Sequence, residues 1–317
     1  YAYYDRNIVD KPYFTLSNEA NRGVFVPANT IPANGATDWT QGRKSTDLGR
    51  VLELQSTGVL DQVAVVFDAS MKIGNDGYFS VSYTKNDTKD NSSFNCCVAN
   101  TSTFRPVVDD PRDQTVTYSD DQFSDKLVIS SASPTFKGFQ LGAILNGVGG
   151  TRYSFLVGGN KSINGDFNLT NDLAYVFDPN GANVPAAVKT AMQGLLDNPD
   201  VTESVKTYIK ENIGKVAARN GGVNPFYYTV DLRLTKDIHF LKKHNMSLSA
   251  DIFNFLNMLD KNEGVSFNHG NINLVSMTGF DQKTMNYNYN VEAAAGRKLN
   301  SAGGTPWRIQ FGLRYSF

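Results

Sequence analysis

The sequence predicts an all-β fold of long antiparallel strands, each with one apolar face. The clearest strand is the final one, where alternate residues are apolar without a break: Trp307, Ile309, Phe311, Leu313, Tyr315 and Phe317. Successive side chains of a strand point to opposite faces, so these residues share one face. A strand of about eleven residues with aromatic residues at both ends has the length that a tilted bilayer-spanning strand needs. We therefore expect an antiparallel transmembrane β-barrel.

Composition excludes other classes of protein. The chain has 317 residues and a net charge of −1, and its basic clusters are no longer than the pair Lys242-Lys243. A nucleic-acid-binding protein would carry a stronger basic footprint. The longest apolar runs are far shorter than the roughly 18 residues of a membrane-spanning helix. The 15 tyrosines and 20 phenylalanines are a rich supply for the aromatic girdles of a membrane protein.

Alternation identifies the other strands of the predicted sheet. They pair as 61–72 with 77–87, 124–132 with 138–147, and 226–235 with 246–252, which gives about seven whole strands with the last one. Asn75-Asp76-Gly77 supplies a tight hairpin turn between the first two. Tyr153, Phe155 and Val157 are predicted to extend the apolar face of the strand at 138–147. The first residues, Tyr1 to Tyr4, are interpreted as the end of a further strand.

The predicted connections are strongly asymmetric. Short turns join the strand pairs at one end, and long connections cover about 5–59, 88–121, 158–224 and 257–305. Soluble meanders seldom need such long loops, whereas short periplasmic turns and long extracellular loops are typical of outer-membrane barrels. The third connection holds the helical signals. Pro185 suits a first helical turn, and apolar residues recur at helical spacing between 187 and 195 and again between 201 and 216.

Four segments carry a resemblance to a known family. They read N-G-D-F-N-L-T-N-D-L-A-Y-V-F-D (164–178), A-A-R-N-G-G-V-N-P-F-Y-Y-T-V-D-L-R-L (217–234), L-S-A-D-I-F-N-F-L-N (248–257) and W-R-I-Q-F-G-L-R-Y-S-F (307–317). In these segments the chain resembles the C-terminal portion of TonB-dependent outer-membrane receptors, specifically the Oar-like group of Bacteroidetes-type bacteria. The resemblance implies a barrel of about 22 strands around an N-terminal plug.

The resemblance also sets the expected domain and function. Residues 1–317 would be the C-terminal part of one barrel domain, with the plug and the N-terminal strands missing. The receptor would import a scarce ligand across the bacterial outer membrane, with TonB, the plug and the barrel assembly machinery as partners. Extracellular loops and the plug would bind the ligand, at residues that the sequence does not identify. Two alternatives stay open: a passive barrel, either a porin or an adhesin, and a soluble all-β binding protein.

Two sets of candidate residues belong to the barrel itself. The apolar residues of the last strand would face lipid, and in the family such an aromatic-ending strand is the signal that the assembly machinery recognises. The polar residues Asp231, Arg233, Arg308 and Arg314 lie at the opposite phase of their strands. We expect them to face the lumen and to contact the plug.

Few residues suggest chemistry. The oxygen-rich run Asn164, Asp166, Asn168, Asn171 and Asp172 could supply calcium ligands, but it lacks the bidentate glutamate of calcium loops, so the sequence favours a solvated turn and no cofactor. Cys96-Cys97 has no further ligands nearby and is interpreted as an incidental loop pair rather than a zinc site. The three histidines, His239, His244 and His269, match no catalytic motif. We predict that they lie on the surface and that the protein is not an enzyme.

Overall fold

The computed structural model describes residues 2–93, 98–99, 101–103, 105–108, 110–112, 115–166, 168–241, 244–298 and 306–317. Cys96-Cys97 lies outside the described residues. Strand residues greatly outnumber helical ones, and the sheets are antiparallel except for one pairing. The predicted all-β class is therefore confirmed. No helix in the described part of the chain is both long and apolar enough to cross a membrane.

Seven long strands form one antiparallel sheet in which neighbours along the chain pair with each other. They are β1 (Leu60–Ile73), β2 (Gly77–Asp90), β3 (Asp125–Ala132), β4 (Phe139–Gly149), β5 (Tyr227–Leu241), β6 (His244–Phe253) and β7 (Arg308–Ser316). The two-residue strand Thr117–Tyr118 pairs with the end of β2. This is an up-and-down meander with the number of strands that the sequence predicts. Within the described residues β1 and β7 form its two open edges.

The register of the ladders gives this sheet two unlike faces. One row runs across the sheet through Phe79, Ser131, Ala143, Leu232, Ile252 and Ile309. The adjacent row, displaced by one residue, runs through Tyr78, Ala132, Gly142, Arg233, Asp251 and Gln310. Because side chains alternate along each strand, these rows point to opposite faces. The period-two pattern of the sequence thus becomes one mostly apolar and one mostly polar face.

The connections differ between the two ends of the sheet, as predicted. Short turns lie between β1 and β2 and between β3 and β4, where Gly74 and Gly138 adopt positive φ angles of 63° and 80°. Asp76 in the first turn accepts a hydrogen bond from the backbone N–H of Thr135 in the second, at 3.0 Å. The long connections all leave the opposite end of the sheet.

The described residues of the four long connections fold into a body, here called the loop body. It contains the helices α1 (Ala186–Asp197), α2 (Glu203–Asn212) and α3 (Phe255–Leu259) and the 3-10 helices Ala28–Thr30, Trp39–Gly42 and Thr101–Thr103. Its short strands are Ala2–Asp5, Phe14–Leu16, Arg22–Val24, Leu52–Gln55, Arg152–Tyr153, Phe155–Gly158, Gly222–Val223, Ile272–Asp281 and Asn286–Val291. α1 and α2 confirm the two predicted helices.

The hydrophobic core lies in the loop body and not in the large sheet. Phe155 and Tyr208 stack with ring centroids 4.1 Å apart, and Tyr153 contacts Tyr208 edge to face at 5.8 Å. Met192 of α1 and Leu274 are completely buried in the same core. The long connections are therefore packed structure rather than irregular surface loops.

Two predictions about this region are wrong. Tyr153, Phe155 and Val157 do not extend β4 but are buried in the loop body, where Phe155–Gly158 pairs in parallel with Ile272–Asp281. Gly150, at φ 71°, turns the chain directly after β4 and separates the two parts. The connection at 257–305 also contains the hairpin of Ile272–Asp281 with Asn286–Val291, although the sequence predicts no strand there.

Candidate functional site

The apolar face of the large sheet is exposed from one edge to the other. Phe67 on β1 is 61% exposed, Leu141 on β4 51%, and Phe311 on β7 80%. We define the apolar face by its residues, which are Val63, Val65, Phe67, Ala69, Met71, Phe79, Val81, Tyr83, Leu127, Ile129, Leu141, Ala143, Leu145, Tyr228, Val230, Leu232, Leu234, Leu248, Ala250, Ile252, Ile309, Phe311, Leu313 and Tyr315. Within the described chain no second layer covers them.

The apolar face extends far along the strands. On β1, Val63 to Met71 spans eight residue steps, which is roughly 27 Å at ~3.4 Å per residue. At the 35–45° tilt of a barrel strand this length would correspond to a height of roughly 20 Å, compared with the ~25 Å apolar band of transmembrane barrels. Charges appear where the band ends on the side of the loop body, with Lys85 Nζ 3.0 Å from Asp125 Oδ1. Tyr83, at the same level, donates a hydrogen bond to Asp125 at 2.5 Å.

The opposite face of the sheet, here called the polar face, carries the four predicted lumen residues. Asp231 and Arg233 line a cavity of about 530 Å³ with Asp251 and Gln310. Arg233 Nε lies 3.5 Å from Asp251 Oδ1. Arg308 and Arg314 share the phase of Gln310 on β7, and the Arg308 guanidinium lies 4.4 Å from the centroid of the Phe253 ring. The structure thus brings these four residues to one face, and the last-strand aromatic residues to the other.

The five oxygen-bearing residues of the run, Asn164, Asp166, Asn168, Asn171 and Asp172, are buried, so the interpretation as a solvated turn is wrong. Asn164, Asp166 and Asn168 each accept, through Oδ1, the backbone N–H two residues further on, at 2.9 to 3.0 Å. The segment lies in the core because the next residue, Leu173, is buried and forms an isolated β-bridge with Leu156. The described residues hold no group of three or more His, Cys, Asp or Glu placed to bind a metal. The prediction that this run holds no cofactor stays untested, as does the alternative of a calcium site.

Arginines accompany the acidic groups buried around this run. Arg22 Nη1 lies 3.3 Å from Glu19 Oε2, and both side chains are 1% exposed. Tyr289 donates a hydrogen bond to the other oxygen of Glu19 at 2.5 Å. Asp172 accepts the backbone N–H of Ile163 at 2.8 Å. Burial, reinforced by the nearby charge of Asp166, raises the pKa of Asp172 to about 7.

This shift predicts a pH-dependent stability. In the unfolded chain Asp172 releases its proton near pH 4, whereas the folded protein holds the proton up to about pH 7. The folded state therefore binds more protons across this interval, and the free energy of unfolding falls as pH rises from 4 to 7. Asp172→Asn should reduce this slope, and Asp166 and Glu19, whose pKa values burial also raises, account for the remainder. At pH 8 the free energy of unfolding of Asp172→Asn should exceed that of the wild type by at least about 1 kcal/mol. This is less than the free energy that corresponds to a shift of one pKa unit.

Urea unfolding of both proteins between pH 4 and 8 checks this expectation. Leu169→Ala, which changes an exposed side chain of the same run without adding or removing a titratable group, is the matched control and should keep the wild-type slope. A wild-type stability that rises from pH 4 to 7 and an unchanged profile in Asp172→Asn would contradict the assignment.

The loop body contains a cleft of about 750 Å³, here called the amide cleft. It lies between the strand Asn286–Val291, the turn Ser17-Asn18, and residues 175–188 that lead into α1. Asp178 is the sole charged residue among the described lining residues. Its aromatic surface comes from Tyr175 and Phe177, whose rings meet edge to face at 5.0 Å.

The strand N-Y-N-Y-N-V at 286–291 builds one wall of the cleft. Tyr287 and Tyr289 point into the core, so Asn286, Asn288 and Asn290 point outward. Asn286 Nδ2 donates to Ser17 Oγ at 3.0 Å. The side chains of Asn288 and Asn290 are exposed and bond to none of the described residues. Asn183 on the opposite wall is also exposed, so three amides are available to a ligand.

One predicted position among the three histidines is wrong. His269 is 8% exposed and contacts Tyr153 edge to face at 5.5 Å, so it is not a surface residue. Its Nε2 lies 3.0 Å from Thr202 Oγ1, and burial lowers the pKa of this imidazole. Asn224 Oδ1 accepts a hydrogen bond from the backbone N–H of His269 at 2.7 Å, and this contact keeps His269 in its buried position. His239 lies near the end of β5, and His244 is the first residue of β6.

Comparison with known proteins adds no relative. No family model, no curated protein and no solved structure matches the chain.

Proposed function

We propose that this chain is part of a closed β-barrel in the bacterial outer membrane and belongs to a TonB-dependent receptor that imports a scarce ligand. The apolar face carries the proposal. Six strand spacings of ~4.8 Å and a length of ~25 Å along the strands give it an area of roughly 700 Å². The largest apolar patch of a typical soluble monomer is about 300–600 Å². A face of this size is stable in lipid, and its exposure to water would be costly.

Three further features support a barrel. The polar face carries Asp231, Arg233 and Asp251, as expected for a lumen filled by water or by a plug. Short turns lie at one end of the sheet and a folded body at the other, as in outer-membrane barrels. The open edges of β1 and β7 would pair with further strands, since no sheet edge is tolerated in hydrocarbon.

Coupling to TonB rests on the family resemblance of the four sequence segments. In this proposal the lipid contacts the apolar face, and the plug contacts Arg233, Arg308 and Arg314 in the lumen. The barrel assembly machinery recognises the aromatic last strand that ends at Phe317. The loop body then faces the cell exterior, where it meets the ligand before transport.

Fractionation and a binding assay test the proposal with the full-length protein. We expect it in the outer-membrane fraction, soluble only in detergent, with the heat-dependent gel mobility of a folded barrel. In detergent it should bind the purified periplasmic domain of TonB. A barrel that does not bind this domain would be a passive porin or adhesin. A protein that folds and stays monodisperse without detergent would be a soluble binding protein, and either result would overturn the proposal.

A further inference from the structure

We propose that the amide cleft binds a neutral oligosaccharide and that this sugar is the imported ligand. The import role rests on the proposed function, whereas the binding chemistry rests on the cleft alone. The cleft has the volume of an ordinary small-ligand site, about 300–1,000 Å³. It combines an aromatic surface with unpaired polar groups, which is the usual composition of such sites.

The charges of the cleft exclude an anionic ligand. Its lining holds no lysine, arginine or histidine among the described residues, and Asp178 is negative. A phosphate or a carboxylate-rich chelate would lose its hydration and find repulsion instead of a cationic partner. Neutral polar molecules avoid this cost.

The hydrogen-bonding groups match hydroxyls. Each asparagine amide offers both donors and an acceptor, and each hydroxyl is also both donor and acceptor. Asn288 and Asn290 follow one another along one side of a strand, at a spacing of ~7 Å, whereas both ends of the Asn286 amide already bond to Ser17 and Asn18. Asn183 lines the same cleft from another segment of the chain. Several available amides in one cleft suit a ligand that repeats the same polar groups along its length, as an oligosaccharide does.

The aromatic residues supply the apolar contact that a sugar ring needs. Tyr175 is partly exposed at the cleft and is fixed by its edge-to-face contact with Phe177. Phe177 in turn packs against Tyr289 at 5.5 Å. Tyr175 is therefore a rigid platform whose ring is available to the C–H face of a sugar.

An extended peptide is a poorer occupant, although Asn286–Val291 is an edge strand. A peptide would add to this edge through main-chain hydrogen bonds. Asn18 Nδ2 already donates to the Tyr287 carbonyl at 3.2 Å, and α1 lies beside the strand. The edge is thus partly occupied, and the side-chain amides are the groups that remain available.

The test uses full-length protein in detergent and an oligosaccharide panel of maltohexaose, cellohexaose, xylohexaose and laminarihexaose, measured by titration calorimetry. Tri-alanine and an acidic hexapeptide serve as peptide probes, and inorganic phosphate as the anionic probe. We expect at least one oligosaccharide to bind and the peptides and phosphate not to bind. The double variant Asn288→Ala, Asn290→Ala should weaken binding at least about tenfold, as should Tyr175→Ala.

Asn262→Ala, which removes an exposed amide outside the cleft, is the matched control and should bind like the wild type. Sugar binding that the cleft variants leave unchanged, binding of the peptide or anionic probes in the cleft, or a complete absence of sugar binding would overturn the inference. All variants should keep their outer-membrane location and TonB binding. If the wild-type protein is not found in the outer membrane or does not bind TonB, the proposed function is overturned instead.

Discussion

Phe311→Arg is expected to destabilise the inserted protein by about 2–4 kcal/mol, whereas Gln310→Arg should change its stability by less than about 1 kcal/mol. The two residues are neighbours on β7, and each variant adds the same charge. They differ in the face they occupy, since Phe311 lies on the apolar face and Gln310 on the polar face. An arginine in the hydrocarbon near the middle of the bilayer costs this much, while an arginine in a lumen stays hydrated.

Urea unfolding of the full-length protein in lipid vesicles measures both effects, and the amount of protein in the outer membrane should fall for Phe311→Arg alone. A soluble fold predicts small and similar effects of the two variants, because Phe311 and Gln310 are both exposed. Phe311 is 80% exposed, so its replacement by arginine would cost nothing in water and would improve solubility. Equal effects of the two variants would therefore remove the physical basis of the membrane proposal.

The large sheet was predictable because the sequence features that define its strands lie within short segments of the chain. The six alternate apolar residues from Trp307 to Phe317, four of them within β7, define both the strand and its face, and neighbours in the chain also pair in space. The same holds for β1, where the turn Asn75-Asp76-Gly77 fixes the partner as β2. The four predicted lumen residues follow from the same alternation, since no long-range contact is needed to place them.

The loop body was not predictable, because distant segments build it. The polar run of Asn164, Asp166, Asn168, Asn171 and Asp172 predicts a solvated turn. In the structure, core residues more than 100 positions away contact this segment or the residue before it, for example Val26 and Tyr287. His269 is buried through Asn224 and Thr202 for the same reason. The strand at 286–291 did carry a local signal, namely the period-two alternation of tyrosine and asparagine. Its apolar residues are too few to distinguish it from a loop without the partner strand.

The amide cleft could not be predicted at all from the sequence. Its walls come from residues 17–18, 175–188 and 278–290, and no motif joins them. The aromatic Tyr175 belongs to a segment that the family resemblance includes, but its role depends on the amides that the fold places opposite. Sites of this kind become visible only when the tertiary structure is known.

Arg219→Ala is expected to cost about 3–5 kcal/mol of stability, because it leaves a buried carboxylate without its partner. Arg219 belongs to the loop body, and Asp90 is the last residue of β2. Their side chains are 5% and 6% exposed, and Arg219 Nη2 lies 2.6 Å from Asp90 Oδ1. Arg219 also donates to the Asp90 carbonyl at 2.6 Å, to Ser93 Oγ at 3.2 Å and to Thr117 Oγ1 at 2.8 Å.

Arg6→Ala in the loop body is the matched control for this variant. Arg6 also pairs with a carboxylate, that of Glu53, but the two side chains are 40% and 46% exposed. A solvated pair of this kind contributes at most about 1 kcal/mol. Urea unfolding in detergent should therefore separate the two arginines by at least about 2 kcal/mol.

Arg219→Lys discriminates between a lost charge and a lost hydrogen-bond network. Lysine keeps the positive charge, but it cannot bond Thr117, Ser93 and Asp90 at once through the planar fork of a guanidinium. We expect it to recover only part of the lost stability, and limited proteolysis should then cut the loop body of Arg219→Ala faster than that of the wild type. Full recovery with lysine would show that charge alone holds Asp90. Equal losses in Arg219→Ala and Arg6→Ala would mean that this contact does not hold the loop body to the sheet.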